Sequence, residues 1–159
     1  MTTTPQPVSP DRYVRPGGRM DEWSMRVVRW LTEHGVSLFG SRVLTVAGRR
    51  TGTPRQVPVN LLSLDGERYL VAPRGNTQWV RNVRAAGSAE LRVGRRSEQV
   101  DLVEVPVDRR VPVLRVYLTR WGWEVGRFVE GVTKDSTDAQ LAAVAPGMPV
   151  FHVVARPGG

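Results

Sequence analysis

The sequence predicts an α+β fold, a small and partly open antiparallel β-barrel of about six strands with helices grouped around it, and three observations lead there. Short apolar-alternating runs follow one another with turn residues between them, Asp65-Gly66 being the clearest two-residue hairpin signal. The helical stretches are grouped rather than interleaved one for one with strands, as a doubly wound parallel sheet would require. At 159 residues the chain is long enough for one core and short for two.

Residues 1–20 are rich in Pro, Thr and Gly and have little to bury, so they are expected to form a flexible N-terminal arm, with 21–159 as a single domain. DEWSMRVVRWLTEHG then places Trp23, Val27, Trp30 and Leu31 at helical spacing and ends at Gly35. This is a helix with an apolar face for the core. Its basic character and two tryptophans also fit peripheral contact of segment 21–34 with a membrane surface.

RVLTVA (42–47) and RQVPVNLLSL (55–64) read as strands, and ERYLVAP (67–73) runs back from the Asp65-Gly66 turn. Pro58 predicts an edge position or a bulge. RGNTQWVRNVRAAG changes period: Trp79, Val83 and Ala86 share a face, Thr77 is placed to cap and Gly87 to stop a short helix. AELRVG and EQVDLVEVPV form a further hairpin around Gly94–Arg96. Asp108 is placed to cap VPVLRVYLTRW and WEVGRFVEGV, helical segments that Pro112 and Gly122 are expected to interrupt. TDAQLAAVA is a short helix stopped by Pro146-Gly147, and PVFHVVA (149–155) is the last strand.

Composition narrows the function. The chain has no cysteine, so disulfides and thiolate metal sites are excluded, and only His34 and His152 offer imidazole. Ordinary structural roles are expected for both. No apolar run reaches the roughly 20 residues of a membrane span and the N-terminus lacks a signal-peptide stretch, so a cytoplasmic protein is expected. Net charge is +8, and residues 42–96 carry all of it: eleven arginines against Asp65, Glu67 and Glu90, while the rest of the chain balances. Such an excess suits nucleic acid, an anionic surface or a polyanionic small molecule.

The centre of that excess is AGRRTGTPRQVP. Gly48 and Gly52 bracket Arg49, Arg50 and Thr51 between two strands, so that backbone N–H groups converge where arginine forks add charge suited to phosphate or carboxylate. Arg74-Gly75-Asn76 and the start of the next helix, itself an anion site, lie in a second such stretch, with Trp79, Arg81 and Asn82 following. No Ser/His/Asp or Cys/His constellation is present.

The run from LTVAGRRTGTPRQVP through WVRNVRAAGSAELRVG resembles the deazaflavin-dependent nitroreductase family of actinobacteria, split β-barrel proteins that use coenzyme F-420. The family's Gly-Arg-(Lys/Arg)-(Ser/Thr)-Gly-x-x-Arg-x-x-Pro loop is matched by Gly48, Arg49, Arg50, Thr51, Gly52, Arg55 and Pro58, and its Trp-x-x-Asn-(Leu/Val)-x-Ala by Trp79, Asn82, Val83 and Ala85. The resemblance, which covers about half the chain, implies an FMN-binding-like split barrel. It gives Arg50, Thr51 and Arg55 to the coenzyme's phosphate and glutamate tail, and Ala72, Arg74, Gly75, Trp79 and Asn82 to its tricyclic ring. The sequence departs from the family in the compressed PRGNTQW, where Arg74 replaces the usual lysine.

The implied reaction is hydride transfer between the deazaflavin and a small planar electrophile: a quinone, a nitroaromatic or an enone. Tyr117, Trp121 and Trp123 are candidates for the substrate wall, Tyr117 also as proton donor, although all three also read as core aromatics. FMN is the alternative cofactor, and a non-catalytic cofactor or lipid carrier the alternative role. A nucleic-acid module lacks base-stacking aromatics on a strand face, so no nucleic acid is expected as a partner. A homodimer is expected from the frequency of isologous pairing.

Overall fold

The computed structural model describes residues 6–14, 41–125 and 132–156. The expected helix at 21–34, with its membrane contact, and His34 lie outside the described residues. Six strands, β1 (Ser41–Ala47), β2 (Pro54–Leu64), β3 (Glu67–Val71), β4 (Ser88–Val93), β5 (Arg96–Glu104) and β6 (Val150–Ala155), form a closed ring in the order β1-β2-β3-β6-β5-β4. Every pairing is antiparallel. The barrel is therefore closed rather than partly open: β1 pairs with β4 through Leu44↔Leu91, which leaves no free edge.

Three helices, α1 (Gln78–Ala86), α2 (Val111–Val125) and α3 (Asp138–Val144), flank the barrel among the described residues. Side-chain alternation sorts the apolar residues into two cores. Leu44, Val46, Leu70, Leu91, Val100 and Phe151 fill the barrel together with Val80 and Val83 of α1. Their neighbours Leu62, Val71 and Val150 face outward against α2 and α3, where Leu114, Trp121 and Leu141 are fully buried.

Local chemistry explains the elements. Asp65 (φ 52°) and Gly66 (φ 79°) both adopt positive φ, which the two-residue primed turn requires. β2 pairs with β1 over Pro54–Asn60 and with β3 only from Leu61, so Pro58 sits where one side of the strand needs no N–H. α1 ends at Gly87, left-handed at φ 74°, whose N–H closes on the Val83 carbonyl at 2.7 Å. Thr137 caps α3 in a reciprocal box with Gln140.

Two further expectations are corrected. Pro112 and Gly122 do not interrupt α2, which runs unbroken through both. Pro112 is its second residue, where the missing N–H would have had no helical acceptor, and packing of Val113, Leu114, Tyr117, Leu118 and Trp121 outweighs the glycine penalty of about 1 kcal/mol. Asp108 caps nothing: it is exposed in a 3-10 turn (Val107–Arg109), and the residue before α2 is the buried Arg110. That guanidinium donates to the carbonyls of Val105 (2.8 Å) and Ala145 (2.9 Å) and to Glu104 (3.0 Å).

The described part of the N-terminal arm, 6–14, makes hydrogen bonds to the barrel domain. Val8 N donates to Ala143 O, Asn76 N to Arg12 O and Val14 N to Arg74 O, at 2.6–2.8 Å. Arg12 Nη1 reaches the carbonyls of Pro73 (2.8 Å) and Gly147 (3.1 Å). These contacts are backbone hydrogen bonds and close approaches to Gly75 and Gly147, which a composition poor in apolar residues does not signal.

Candidate functional site

Antiparallel order decides which loops meet. The β1–β2 loop, α1, the start of β6 and the end of β5 gather at one end of the barrel, and the 65–66 and 94–95 turns at the other. The eleven arginines of 42–96 divide accordingly. Arg42, Arg68, Arg92, Arg95 and Arg96 lie toward the far end, and Arg49, Arg50, Arg55, Arg74, Arg81 and Arg84 belong to the loop-and-helix end. The single concentration of charge in sequence is two in space.

At the loop-and-helix end the arginines have distinct tasks. Arg49 fastens the loop to α1: its backbone N–H donates to Asn82 Oδ1 (3.1 Å), and its Nη1 donates to Asn82 Oδ1 and Gln78 Oε1, both at 2.9 Å. Asn82 is 5% exposed, so its carboxamide oxygen holds the loop in place. Arg84 is bound by Glu104 at 2.9 and 2.7 Å and also donates to Asn76. Burial raises the Glu104 carboxyl, but hydrogen bonds and charge from Arg84 and Arg110 outweigh it and hold the group below the usual carboxylate range. Arg74 donates to Val14 O at 2.9 Å and stacks over Tyr13.

Arg50, Arg55 and Arg81 remain exposed, and no acidic side chain among the described residues pairs with them. The loop that carries the first two is tightly made: Gly48 N donates to Thr53 O and Gly52 N to Gly48 O, each at 2.8 Å, with Gly52 at φ 74°. A Cβ on Gly48 would lie 3.1 Å from Thr53 O and 3.8 Å from Arg55 Cγ, so the Arg55 stem folds back across the glycine. Thr51 Oγ1 accepts from Thr53 N (3.2 Å), leaving the exposed hydroxyl proton available to a ligand.

The residues that the resemblance gave to the ring share this corner in part. Trp79 is half-buried, tilted 52° against Phe151 at 5.8 Å, and packs against the barrel core. Ala72 is buried, and Gly75 lies directly under the strap at φ 87°, where a Cβ would collide with the Arg12 carbonyl. Tyr117 does not join them. It is 2% exposed and lies 5.2 Å from Trp121 in the core between barrel and α2. Trp121 is fully buried there as well, and the Trp123 side chain lies outside what is described. His152 pairs with Glu67 at 2.6 Å on the outer wall.

Thr77 stands at the N-cap position as the sequence predicts, but its side chain makes no capping bond. Its Oγ1 is enclosed without a hydrogen-bond partner, a chemical state that no spacing rule reveals. Sequence reasoning missed Arg12, because a low-complexity arm gives no periodic signal.

A closed six-strand antiparallel barrel with helices grouped around it is a split-barrel fold. Solved structures share that fold. A chain described as a domain-swapped dimer aligns at TM-score 0.51 and 17% identity, over 85% of this chain and 99% of that one. The putative pyridoxamine 5'-phosphate oxidase of Listeria innocua aligns at 0.50 and 14%, over 82% and 91%. The HutZ heme storage protein of Vibrio cholerae aligns at 0.52 and 9%, over 84% and 89%. No curated protein matches the chain.

The F420H(2)-dependent quinone reductase family matches residues 20–123, about two thirds of the sequence, and the chain belongs to that family. It is an F-420-dependent oxidoreductase, and coenzyme F-420 is its cofactor. The match, rather than the charge count, decides between F-420 and FMN, since five of the eleven arginines lie at the wrong end. The site fits a phosphate with a carboxylate tail through Arg50, Arg55 and Arg81, which no acid pairs among the described residues, and the Thr77 hydroxyl, which has no hydrogen-bond partner among them.

Proposed function

We propose that this protein uses reduced F-420 to reduce a quinone, with nitroaromatics and activated enones as the other candidate acceptors. The observation that carries the reading is the division of labour in the arginine loop: Arg49 is committed to α1, while Arg50 and Arg55 stand exposed without acid partners. Arg50, Thr51 and Arg55, joined by Arg81, would hold the phosphate and the glutamate carboxylates, and Gly52 and Pro58 shape the loop that presents them. Trp79 borders the ring. Ala72, Arg74, Gly75 and Asn82 support that border through backbone and internal hydrogen bonds.

The bound coenzyme supplies a hydride as a two-electron donor. The chain's own residues bind and orient it, and Trp79 and the packed barrel mouth exclude water from one face. A quinone that received the hydride would also take one proton to become the hydroquinone, and Tyr117 lies in the core between barrel and α2 rather than beside Trp79. A homodimer belongs to the same proposal: Val103 (56% exposed) and Val154 (38%) stand on the outer wall of β5 and β6, and a structural neighbour is described as a dimer. Light scattering at twice 17.7 kDa is the expected result.

Fluorescence titration with oxidised F-420 tests the cofactor reading. Wild type should bind in a salt-sensitive manner, and Arg50→Ala with Arg55→Ala should weaken binding about tenfold or more. Loss of coenzyme fluorescence change in wild type, or preference for FMN, would refute it. Oxidation of the reduced coenzyme in the presence of menadione tests turnover; silence across quinones, nitroaromatics and enones would favour a carrier.

A further inference from the structure

The start of α1 carries an arrangement of polar groups that helix capping does not explain. Thr77 has the extended backbone of an N-cap (φ −74°, ψ 173°), yet its side chain makes no capping bond. The residue is 8% exposed, and its Oγ1 is enclosed with no hydrogen-bond partner. The same residue type at the start of α3 behaves as a cap should: Thr137 Oγ1 accepts from Gln140 N at 3.1 Å. An enclosed hydroxyl without a partner is costly unless something else meets it.

The backbone beside it is equally open. Among the described residues no acceptor meets the N–H of Gln78, Trp79 or Val80; the first donor satisfied is that of Arg81, on the Thr77 carbonyl at 3.1 Å. These donors sit at the positive end of the helix dipole. Arg49 adds a full charge next to them through its contact with Gln78 Oε1 at 2.9 Å. Gln78 itself is exposed and Trp79 half-buried, so the turn opens to solvent within a residue of the hydroxyl.

We infer that Thr77 Oγ1 and the N–H groups of residues 78–80 form one binding site for a negatively polarised oxygen of the coenzyme, an assignment that rests on F-420 occupying this end of the barrel. Two oxygens have that chemistry, the phosphate and a ring carbonyl. Thr77 lies outside the Trp-x-x-Asn pattern of the helix, and it takes over the hydrogen-bonding role expected of Asn82, whose oxygen is spent on Arg49.

The test compares Thr77→Val and Thr77→Ser with wild type in the full chain, by thermal unfolding without coenzyme and by fluorescence titration with F-420 and with its phosphate-free deazariboflavin core. Valine keeps the shape and removes the partnerless oxygen, so the unliganded variant should melt at the same or a higher temperature. It should bind F-420 about tenfold more weakly, while the serine variant keeps wild-type affinity. If the core compound is weakened as well, the oxygen is a ring carbonyl; if only F-420 is weakened, it is the phosphate. Wild-type affinity in the valine variant overturns the inference and leaves the coenzyme reading standing. Failure of wild type to bind F-420 overturns both.

Discussion

Replacing Arg49 by alanine separates structural from ligand-binding arginines in a loop where sequence treats them alike. The side chain contributes two hydrogen bonds, to Asn82 Oδ1 in a part-buried position and to Gln78 Oε1 at the surface, both at 2.9 Å. Hydrogen bonds from a charged donor contribute about 1.5–3 kcal/mol when well enclosed and roughly 0.5–1 when exposed. Allowing for the backbone N–H of residue 49, which still bonds Asn82, the loss should be about 2 kcal/mol, or roughly 4–8 °C in Tm for a domain of this size. Arg50→Ala and Arg55→Ala remove exposed side chains with no acid partner and should stay within about 0.5 kcal/mol of wild type. Urea unfolding of the three single variants, paired with F-420 titration, reads both axes. Arg49→Ala should lose stability, and Arg50→Ala and Arg55→Ala should lose affinity alone. An Arg49→Ala midpoint equal to wild type, or equal destabilisation by all three, would refute the division.

Gly75→Ala should free the N-terminal strap: the positive φ alone costs about 1–2 kcal/mol for an L-residue, and the new Cβ meets the Arg12 carbonyl. Trypsin should then cut after Arg12 faster than in wild type, and an unchanged rate would count against the strap's attachment. Arg110→Met strands the buried carbonyl of Val105 and leaves the Ala145 carbonyl only its bond from Met148 N–H (3.1 Å), for an expected loss of about 2–3 kcal/mol in urea unfolding, while Glu104 keeps Arg84. A wild-type midpoint would contradict that accounting. Glu98 is held below the usual carboxylate range by its hydrogen bonds from Arg68, and Glu104 by Arg84 and Arg110 against the effect of burial. Their contribution is complete above the unfolded carboxylate pKa of about 4.3 and disappears as pH falls through the lower folded values. Tm should therefore stay level from neutral pH down to about 5 and drop below, more gently in Glu98→Gln with Glu104→Gln; an identical acid profile in that variant would exclude these pairs as the cause.

Much of the barrel was legible because its signals are local. The Asp65-Gly66 turn, the Gly87 stop and the period-two runs are statements about φ and about which side of a strand faces water, and both are written within a few residues. The arginine loop was legible for the same reason, since its glycines and its charge are contiguous. What the sequence by itself determined is thus the six strands and the short helix after the third, the presence of a cationic turn and the family to which they belong. Only the tertiary structure decided which arginines share a side, that Asn82 is committed to Arg49, that Tyr117 faces a core and that Thr77 has no partner. Those are relations between residues far apart in the chain: Asn82 and Arg49 are separated by 33 positions, Gly75 and Arg12 by 63. Ring closure sends neighbouring loops to opposite ends of the barrel, so proximity in sequence loses its meaning there and hydrogen-bond satisfaction becomes a property of the closed fold.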